Sequence, residues 1–323
     1  MRIVVTGGAG FIGGSVVKRL ADRADHVIAL VRDPTKAATL AGPNVELVAS
    51  DLSDVASLTE QLRGADALIH GAGSYKVGIT AGERPAMWDA NVGTTERVLA
   101  AATAAATPRI AYVSTVGIFG DTHGREVDET YRRDPADGFL SCYDETKFRA
   151  HEVAEAAIAG GAPIVIAQPG QVYGPGDHTQ IGEILGDAYR GRLRYLALAD
   201  VALEMAHVDD TAAGIVAALD RGRPGQAYVV AGHPHTLASA VDVAARAGGH
   251  RPPRLTIPTG LLRAIAPIND RLGGLPGMPA NLRETITAAR ATFLASHDKA
   301  ARELGFAPRS LEQGIVDTYG VHS

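Results

Sequence analysis

Of the nine tyrosines in the chain, only Tyr143 is followed four positions later by a lysine, Lys147, in the run Tyr-Asp-Glu-Thr-Lys-Phe-Arg-Ala. On a helix, residues four apart share a face. A phenol ordinarily titrates near about 10, too high to exchange a proton readily at neutral pH. A cation about 4 Å from the phenolate contributes roughly 4 kcal/mol at an effective dielectric near 20, or about three pK units. Tyr143 is thus a candidate general acid/base, and Lys147 its activator, for a reaction that moves a proton at a substrate oxygen, as hydride transfer to a carbonyl requires. Taken alone, the pair also reads as two exposed helical residues. Upstream, Ala111-Tyr112-Val113-Ser114-Thr115 closes an apolar run. Thr115 is placed to hydrogen-bond the same oxygen, and Ser114 is the competing hydroxyl; either could instead satisfy a strand-end backbone group.

Directly after the first apolar run comes Thr6-Gly7-Gly8-Ala9-Gly10-Phe11-Ile12-Gly13. Glycines at this spacing, opening a helix, let the backbone turn tightly and approach a pyrophosphate at the helix N-terminus, where free N–H groups and the dipole favour negative charge. Gly7, Gly10, Phe11, Ile12 and Gly13 are assigned to that site. The second apolar run ends in Val31-Arg32-Asp33-Pro34. Arg32, helped by Lys36, suits a 2′-phosphate, because a guanidinium forks onto phosphate oxygens. This favours NADP(H); NAD(H) is the other reading, with Asp33 accepting from the ribose one position late. Asp51 and Leu52 after the third run are expected beside the adenine, and Gly71, Ala72 and Gly73 after the fourth beside the middle of the cofactor.

These groups must be carried by a regular frame. The runs Ile3–Val5, Val27–Val31, Val45–Val48, Ala67–Ile69, Ile110–Val113 and Ile164–Ala167 are continuous and rich in β-branched residues, as strands buried on both faces are. Helix-length segments alternate with them: Phe11–Ala24, Val55–Arg63, Glu83–Ala106 and Thr146–Ala159. The expected fold is α/β, a Rossmann-type doubly wound parallel sheet with a smaller, interleaved C-terminal substrate domain. Residues 1–168 form the dinucleotide-binding domain, to which 205–232 return through a strand at Ala227–Val230. Residues 169–204 and 233–323 form the smaller domain.

The 323 residues, 46% hydrophobic and 21% charged, can bury a large core. With 31 basic against 36 acidic residues and no basic run, a nucleic-acid partner is not expected. No stretch approaches about 18 uninterrupted apolar residues, so no membrane partner is expected either. A single cysteine, Cys142, allows no internal disulfide, and a cytoplasmic location is inferred. The eleven histidines show no metal-binding spacing, and no metal is assigned. Leu261, Leu262, Ile265, Ile268 and Leu272 are assigned to the core, with a substrate pocket or a dimer contact as the other readings.

The glycine turn, the Ser-Thr strand end and Tyr-x-x-x-Lys, in this order, make the chain similar to the extended short-chain dehydrogenase/reductase family of nucleotide-sugar epimerases and dehydratases and dihydroflavonol-reductase-like enzymes. Further matching motifs are Asp51-Leu52, Asn91-Val92-Gly93-Thr94, Gln168-Pro169-Gly170-Gln171-Val172-Tyr173-Gly174-Pro175-Gly176-Asp177 and His207-Val208-Asp209-Asp210. The resemblance implies Tyr143 as acid/base, Lys147 on the nicotinamide ribose, Thr115 as the third member, Asn91 fixing backbone or relaying protons, and Pro169 and Val172 beside the nicotinamide. Departures narrow the reaction. Val116-Gly117 stands where the family's dehydratases place Asp-Glu; Gln168 replaces an arginine; and Glu204-Met205-Ala206 stands where many epimerases have Arg-Asp-Phe. The expected function is an NADP(H)-dependent oxidoreductase reducing a carbonyl, or oxidising the alcohol, of a small, partly apolar substrate. The alternative is a nucleotide-sugar epimerase with tightly bound NAD(P). A homodimer is allowed.

Overall fold

The computed structural model describes residues 1–274 and 278–320; the remaining positions fall in the segment assigned above to the smaller domain. Among the described residues, twelve strands follow the chain as β1 (Arg2–Thr6), β2 (His26–Val31), β3 (Val45–Ala49), β4 (Ala67–His70), β5 (Ile110–Val113), β6 (Ile164–Pro169), β7 (Gln171–Tyr173), β8 (Tyr195–Ala197), β9 (Ala202–His207), β10 (Ala227–Val230), β11 (His233–Thr236) and β12 (Leu255–Ile257). Seven of them form one parallel sheet in the order β10-β6-β5-β4-β1-β2-β3. The order reverses at β1, so a crevice opens between the C-terminal ends of β1 and β4, the place where doubly wound sheets bind ligands.

Both faces of this sheet are covered. The helices are α1 (Phe11–Asp22), α2 (Val55–Leu62), α3 (Arg84–Trp88), α4 (Thr94–Ala104), α5 (Cys142–Ala159), α6 (Gln180–Tyr189), α7 (Val208–Arg221), α8 (Leu237–Ala247), α9 (Thr259–Arg271), α10 (Leu282–Arg290), α11 (Asp298–Leu304) and α12 (Leu311–Tyr319). Strand residues alternate between two cores. Ile3, Val5, Val27 and Ala29 pack with Val16 and Leu20 of α1, Ile215 of α7 and Leu304 of α11. Val4, Ile28 and Leu30 pack with Leu58 of α2, Leu99 of α4 and Ala154 of α5. Burial on both faces explains why these strands read as continuous apolar runs rather than alternating ones. Leu304 of α11 lies in the first of these cores although the sequence places its segment with the smaller domain.

A second layer stands on the C-terminal edge of the sheet. Strands β11, β9 and β7 form a small mixed sheet backed by α6, α8 and α12 through Leu185, Val241 and Ile315, with Leu196 of β8 in the same cluster. Strands β8 and β12 pair in parallel and carry α9 and α10 on Ala197, Ile257, Leu262 and Ile286; of the five apolar residues assigned to the core here, Leu262 and Ile265 pack in this cluster, whereas Leu261, Ile268 and Leu272 are exposed. Glu204 of β9 ties the layers together. Its Oε1 accepts the Ala295 amide at 2.6 Å, beside the pairing of Val127 with Leu294 and Ser296, while its Oε2 meets no partner among the described residues. Burial pushes this carboxyl up from 4.5 to about 8.

A carboxyl that keeps its proton in the fold over a range where the unfolded chain has lost it makes stability fall as pH rises from about 4.5 toward 8. Glu204→Gln removes that titration and keeps an acceptor for Ala295. Urea unfolding at pH 6 and pH 9 is expected to show a larger loss for the wild type than for the glutamine variant; parallel losses would show that Glu204 is ionised throughout.

Candidate active site

The site begins at the end of β1. Thr6 Oγ1 lies 2.7 Å from His70 Nδ1 and accepts the Ala72 amide at 3.3 Å. His70 Nε2 lies 3.2 Å from Thr95 Oγ1, which donates to the Asn91 carbonyl at 2.7 Å. Proton bookkeeping then fixes the tautomer. Thr95 has spent its hydrogen, so His70 carries its proton on Nε2, and Nδ1 accepts from the Thr6 hydroxyl. Full burial, with Lys147 nearby, drives His70 down to about 3, so it stays neutral. Asn91 continues the chain: Oδ1 accepts the Ser74 amide at 2.7 Å, and Nδ2 donates to the Ser74 carbonyl at 3.1 Å and to Thr146 Oγ1 at 2.9 Å. Thr146 in turn donates to the Tyr143 carbonyl at 3.1 Å. Asn91 reaches both segments because α3 and α4 are joined by a π-helical turn, Asp89–Gly93, rather than by regular helix.

Helix α5 starts four residues before the expected Thr146, capped by Ser141, whose hydroxyl accepts the Asp144 amide at 3.1 Å. Tyr143 and Lys147 therefore lie one turn apart on one face. Thr115, after β5, accepts the Gly117 amide at 3.1 Å, and its hydroxyl faces the Tyr143 phenol. Ser114, the competing hydroxyl, bonds His151 Nδ1 at 2.9 Å in the buried layer behind.

The electrostatics differ from the expectation. Lys147 Nζ donates to the Val113 carbonyl at 3.2 Å and stands 5.6 Å from the centre of the Tyr112 ring. Burial lowers this ammonium to about 8. Tyr143 moves above its ordinary value: burial raises it most, the neighbouring Tyr75 adds to this, and the Thr115 hydrogen bond offsets only part. The lysine's charge is turned toward a carbonyl, so desolvation outweighs the expected lowering of the phenol.

The other assigned positions gather around the same crevice. Gly7, at φ +74°, has no room for a side chain: a Cβ would stand 2.7 Å from the Ala72 nitrogen and 2.8 Å from the Gly71 carbonyl. A Cβ on Gly13 would run into the Gly7 carbonyl, so α1 can dock this closely only with glycine there. Gly10 is the N-cap of α1 and offers no side-chain acceptor, leaving the first-turn amides of Phe11, Ile12 and Gly13 toward the crevice. Arg32 is exposed and has no ion-pair or hydrogen-bond partner among the described residues, whereas Asp33 is engaged by Thr35 and lies 3.8 Å from Lys36. Beside Arg32 is a depression of about 310 Å³, lined also by Ser50, Asp51, Ser53 and Ser57. Leu52, at φ +61°, turns the chain away there and gives its carbonyl to Arg97 Nε at 2.8 Å. Gly73 lies under Asn91; a Cβ there would come within 3.0 Å of its Oδ1. Pro169 ends β6, and Val172 is buried in β7. Tight glycines, a helix start without a side-chain cap and an unpartnered guanidinium at the far end fit a dinucleotide.

Three features carry no motif in the sequence. Tyr75 stands edge-on to Tyr143 at 4.7 Å. Arg133 and Asp144 form a buried ion pair at 2.8 Å, the guanidinium lying 4.7 Å and 5.3 Å from the centres of the Phe139 and Phe148 rings, which touch each other. Glu284 of α10 accepts the Cys142 amide at 3.4 Å and so touches the start of α5 from the second layer. His70, missed in the sequence analysis, does carry a signal there, as a polar residue directly after the apolar run Ala67–Ile69.

A model of the NAD dependent epimerase/dehydratase family matches residues 3–231. The chain is 30% identical to a protein named as a dihydroflavonol 4-reductase from Synechocystis sp., over 97% of this chain and 92% of that one. It is 28% identical to sterol demethylase protein B of Methylococcus capsulatus, over 98% and 97%. The crystal structure of gox2253 superposes with a TM-score of 0.83 at 30% identity, over 98% of this chain and 96% of that one. The chain therefore belongs to the NAD dependent epimerase/dehydratase family, within the extended short-chain dehydrogenase/reductases, and is an NAD(P)-dependent oxidoreductase of that type.

Proposed function

We propose that this is a cytoplasmic, NADP(H)-dependent reductase of a carbonyl on a small, partly apolar substrate, with Tyr143, Lys147 and Thr115 as its catalytic residues. The observation that carries it is the placement of Tyr143 and Lys147 on one face of α5, opposite the Thr115 hydroxyl, at the mouth of the glycine crevice. A nicotinamide cofactor held in the glycine crevice would supply the hydride. Thr115 holds the substrate oxygen against the phenol. Tyr143, a neutral phenol that burial makes harder still to ionise, donates its proton to that oxygen as it becomes an alkoxide. Lys147, at about 8, is mostly charged at pH 7 and sits one turn from Tyr143 on the same helix face, where it would bind the nicotinamide ribose. Ser114 is committed to His151 and takes no part. The first-turn amides of α1 with Gly7, Gly10 and Gly13 would hold the pyrophosphate, Asp51 and Leu52 the adenine end, Gly71 to Gly73 and Asn91 the middle, and Lys147, Pro169 and Val172 the nicotinamide end. Residues 169–204 and 233–323 would supply most of the substrate side. Two observations support reduction over epimerisation. The relative from Synechocystis is named as a reductase over nearly its whole length. Glu204, where the epimerase motif differs, is buried against Ala295.

Tyr143→Phe is expected to lower turnover by about two orders of magnitude or more, with cofactor affinity retained, as a positioned proton donor requires. Steady-state kinetics and cofactor titration check this; wild-type turnover would remove Tyr143 from the chemistry. Arg32→Ala is expected to weaken NADPH by about 1.5–3 kcal/mol, the worth of a charge-assisted phosphate contact, and leave NADH nearly unchanged. Equal loss for both would point to Asp33. A reductase exchanges its cofactor each cycle, so the purified protein should hold little of it and consume NADPH stoichiometrically with a carbonyl. Stoichiometric bound cofactor together with inversion of a nucleotide sugar would establish the epimerase instead.

A further inference from the structure

Among the described residues, Tyr75 is the exposed aromatic side chain in ring contact with a member of the proposed catalytic set. It is 61% exposed, yet its ring meets that of Tyr143 edge-on, the two planes at 86°. Burial, with the Asp177 carboxylate of the loop after β7 adding to it, raises the Tyr75 phenol. A side chain that protein surrounds but does not cover lines a concavity, not an outer surface. The other neighbours of Tyr143 locate that concavity. Ile79, Met87 and Cys142 form a buried cluster against Tyr143, and the Thr115 hydroxyl faces its phenol. Tyr75 is thus an uncovered wall beside the reacting oxygen.

The loop that carries this wall is fixed on both sides of Tyr75. Just before it, Ser74 donates its amide to Asn91 Oδ1 and accepts from Asn91 Nδ2 at its carbonyl, which ties the loop to the sheet layer. Just after it, Lys76 bridges to Glu83, which also accepts the Thr80 amide at 2.9 Å. Gly78, at φ +72°, gives its carbonyl to the Asn281 amide of the second layer at 3.2 Å, and a Cβ there would stand 2.5 Å from Thr285 Oγ1 and 3.1 Å from Pro279 Cβ. Both layers therefore hold the segment that presents the ring. A bound group meets Tyr75 without first having to order it, which favours binding.

We propose that Tyr75 is a specificity-determining residue, the wall on which the group attached to the substrate's carbonyl carbon stacks, and that the site selects carbonyls bearing a flat, apolar ring at that position. The inference rests on the reductase reading, in which Thr115 and Tyr143 hold the carbonyl oxygen. The carbonyl carbon lies only about 1.2 Å beyond that oxygen. Its substituents therefore run alongside the Tyr143 ring, and one of ring size reaches Tyr75, whose centre stands 4.7 Å from that of Tyr143. Two aromatic rings pack offset or edge-on and gain more than the area they bury, a gain that a saturated ring of similar size lacks. A short alkyl group would leave most of the Tyr75 face wet.

The test compares NADPH-dependent reduction of benzaldehyde, cyclohexanecarboxaldehyde and acetaldehyde by the full chain. Tyr75→Ala should lower kcat/KM for benzaldehyde about tenfold more than for acetaldehyde, with the difference carried by KM. Tyr75→Phe keeps the flat face and should keep the wild-type preference. Tyr75→Leu, apolar but not flat, should lower the ratio of benzaldehyde to cyclohexanecarboxaldehyde by about three- to fivefold. An equal loss for all three aldehydes, carried by kcat, would make Tyr75 a support for Tyr143 and overturn the proposal while leaving the reductase reading intact. Ratios unmoved by Tyr75→Ala would do the same. Saturation-transfer NMR of benzaldehyde with the protein and NADP+ reads ring binding without turnover. Binding that needs the Tyr75 ring, with no aldehyde reduced, would sustain the stacking wall and overturn the reductase reading instead. Neither binding nor turnover of benzaldehyde would overturn the proposal.

Discussion

The active site depends on one unbroken line of hydrogen bonds, from Thr6 through His70, Thr95, Asn91 and Thr146 to the carbonyl of Tyr143. Each hydroxyl in it donates once, and each ring or amide group has the partner its chemistry demands. Such a line is directional, and it works only with an imidazole kept neutral by full burial and protonated on Nε2, as the Thr95 hydroxyl requires. Through it the strand that opens the glycine turn, the strand across the crevice and the helix carrying the phenol are held in a single register. A hydrophobic contact could not do this, because it has no preferred direction.

Around that line the protein balances desolvation against contact. Lys147 and Tyr143 are both pushed toward their neutral forms by burial. The price in charge is recovered locally by hydrogen bonds from Thr115 to the phenol and from Lys147 to Val113. Nearby, the Arg133–Asp144 pair is deeply buried yet fully used: Asp144 also accepts the Leu140 amide, and Arg133 donates to the Gly138 carbonyl. A buried pair of this kind adds little net stability when intact, but losing one partner would strand the other, so it fixes where α5 begins.

Much of this was legible in the sequence because it rests on local pattern. The seven central strands stand out as apolar runs, and the glycine spacing announces a turn whose steric need the structure shows at Gly7 and Gly13. The start of α5 was placed late because its cap, Ser141, follows an irregular stretch in which no period is visible. The sign of the Tyr143 shift could not be read, since it depends on how deeply the phenol is buried and where the Lys147 ammonium points. Tyr75, Glu284 and Arg133 were invisible for a related reason: each acts through a neighbour distant in sequence, and nothing in its own surroundings marks it. The α9 residues show the converse error. Periodicity identified an apolar helix correctly, but composition alone does not say how many of its faces the protein covers.

The π-helical turn at Asp89–Gly93 also bears on how this chain can vary in length. It places one extra residue within what would otherwise be continuous helix, and α3 and α4 each bury their own face on either side: Met87 beside Ile79 and Cys142, Val98 and Leu99 in the sheet core. Removing any one residue between 89 and 93 would restore a regular helix but rotate α3 by about 100° relative to α4. Met87 would leave its pocket, and Asn91 could no longer face both Ser74 and Thr146. A single-residue deletion is therefore far more damaging here than most substitutions. Chains sharing this site should keep the distance from Asn91 to Thr95 constant.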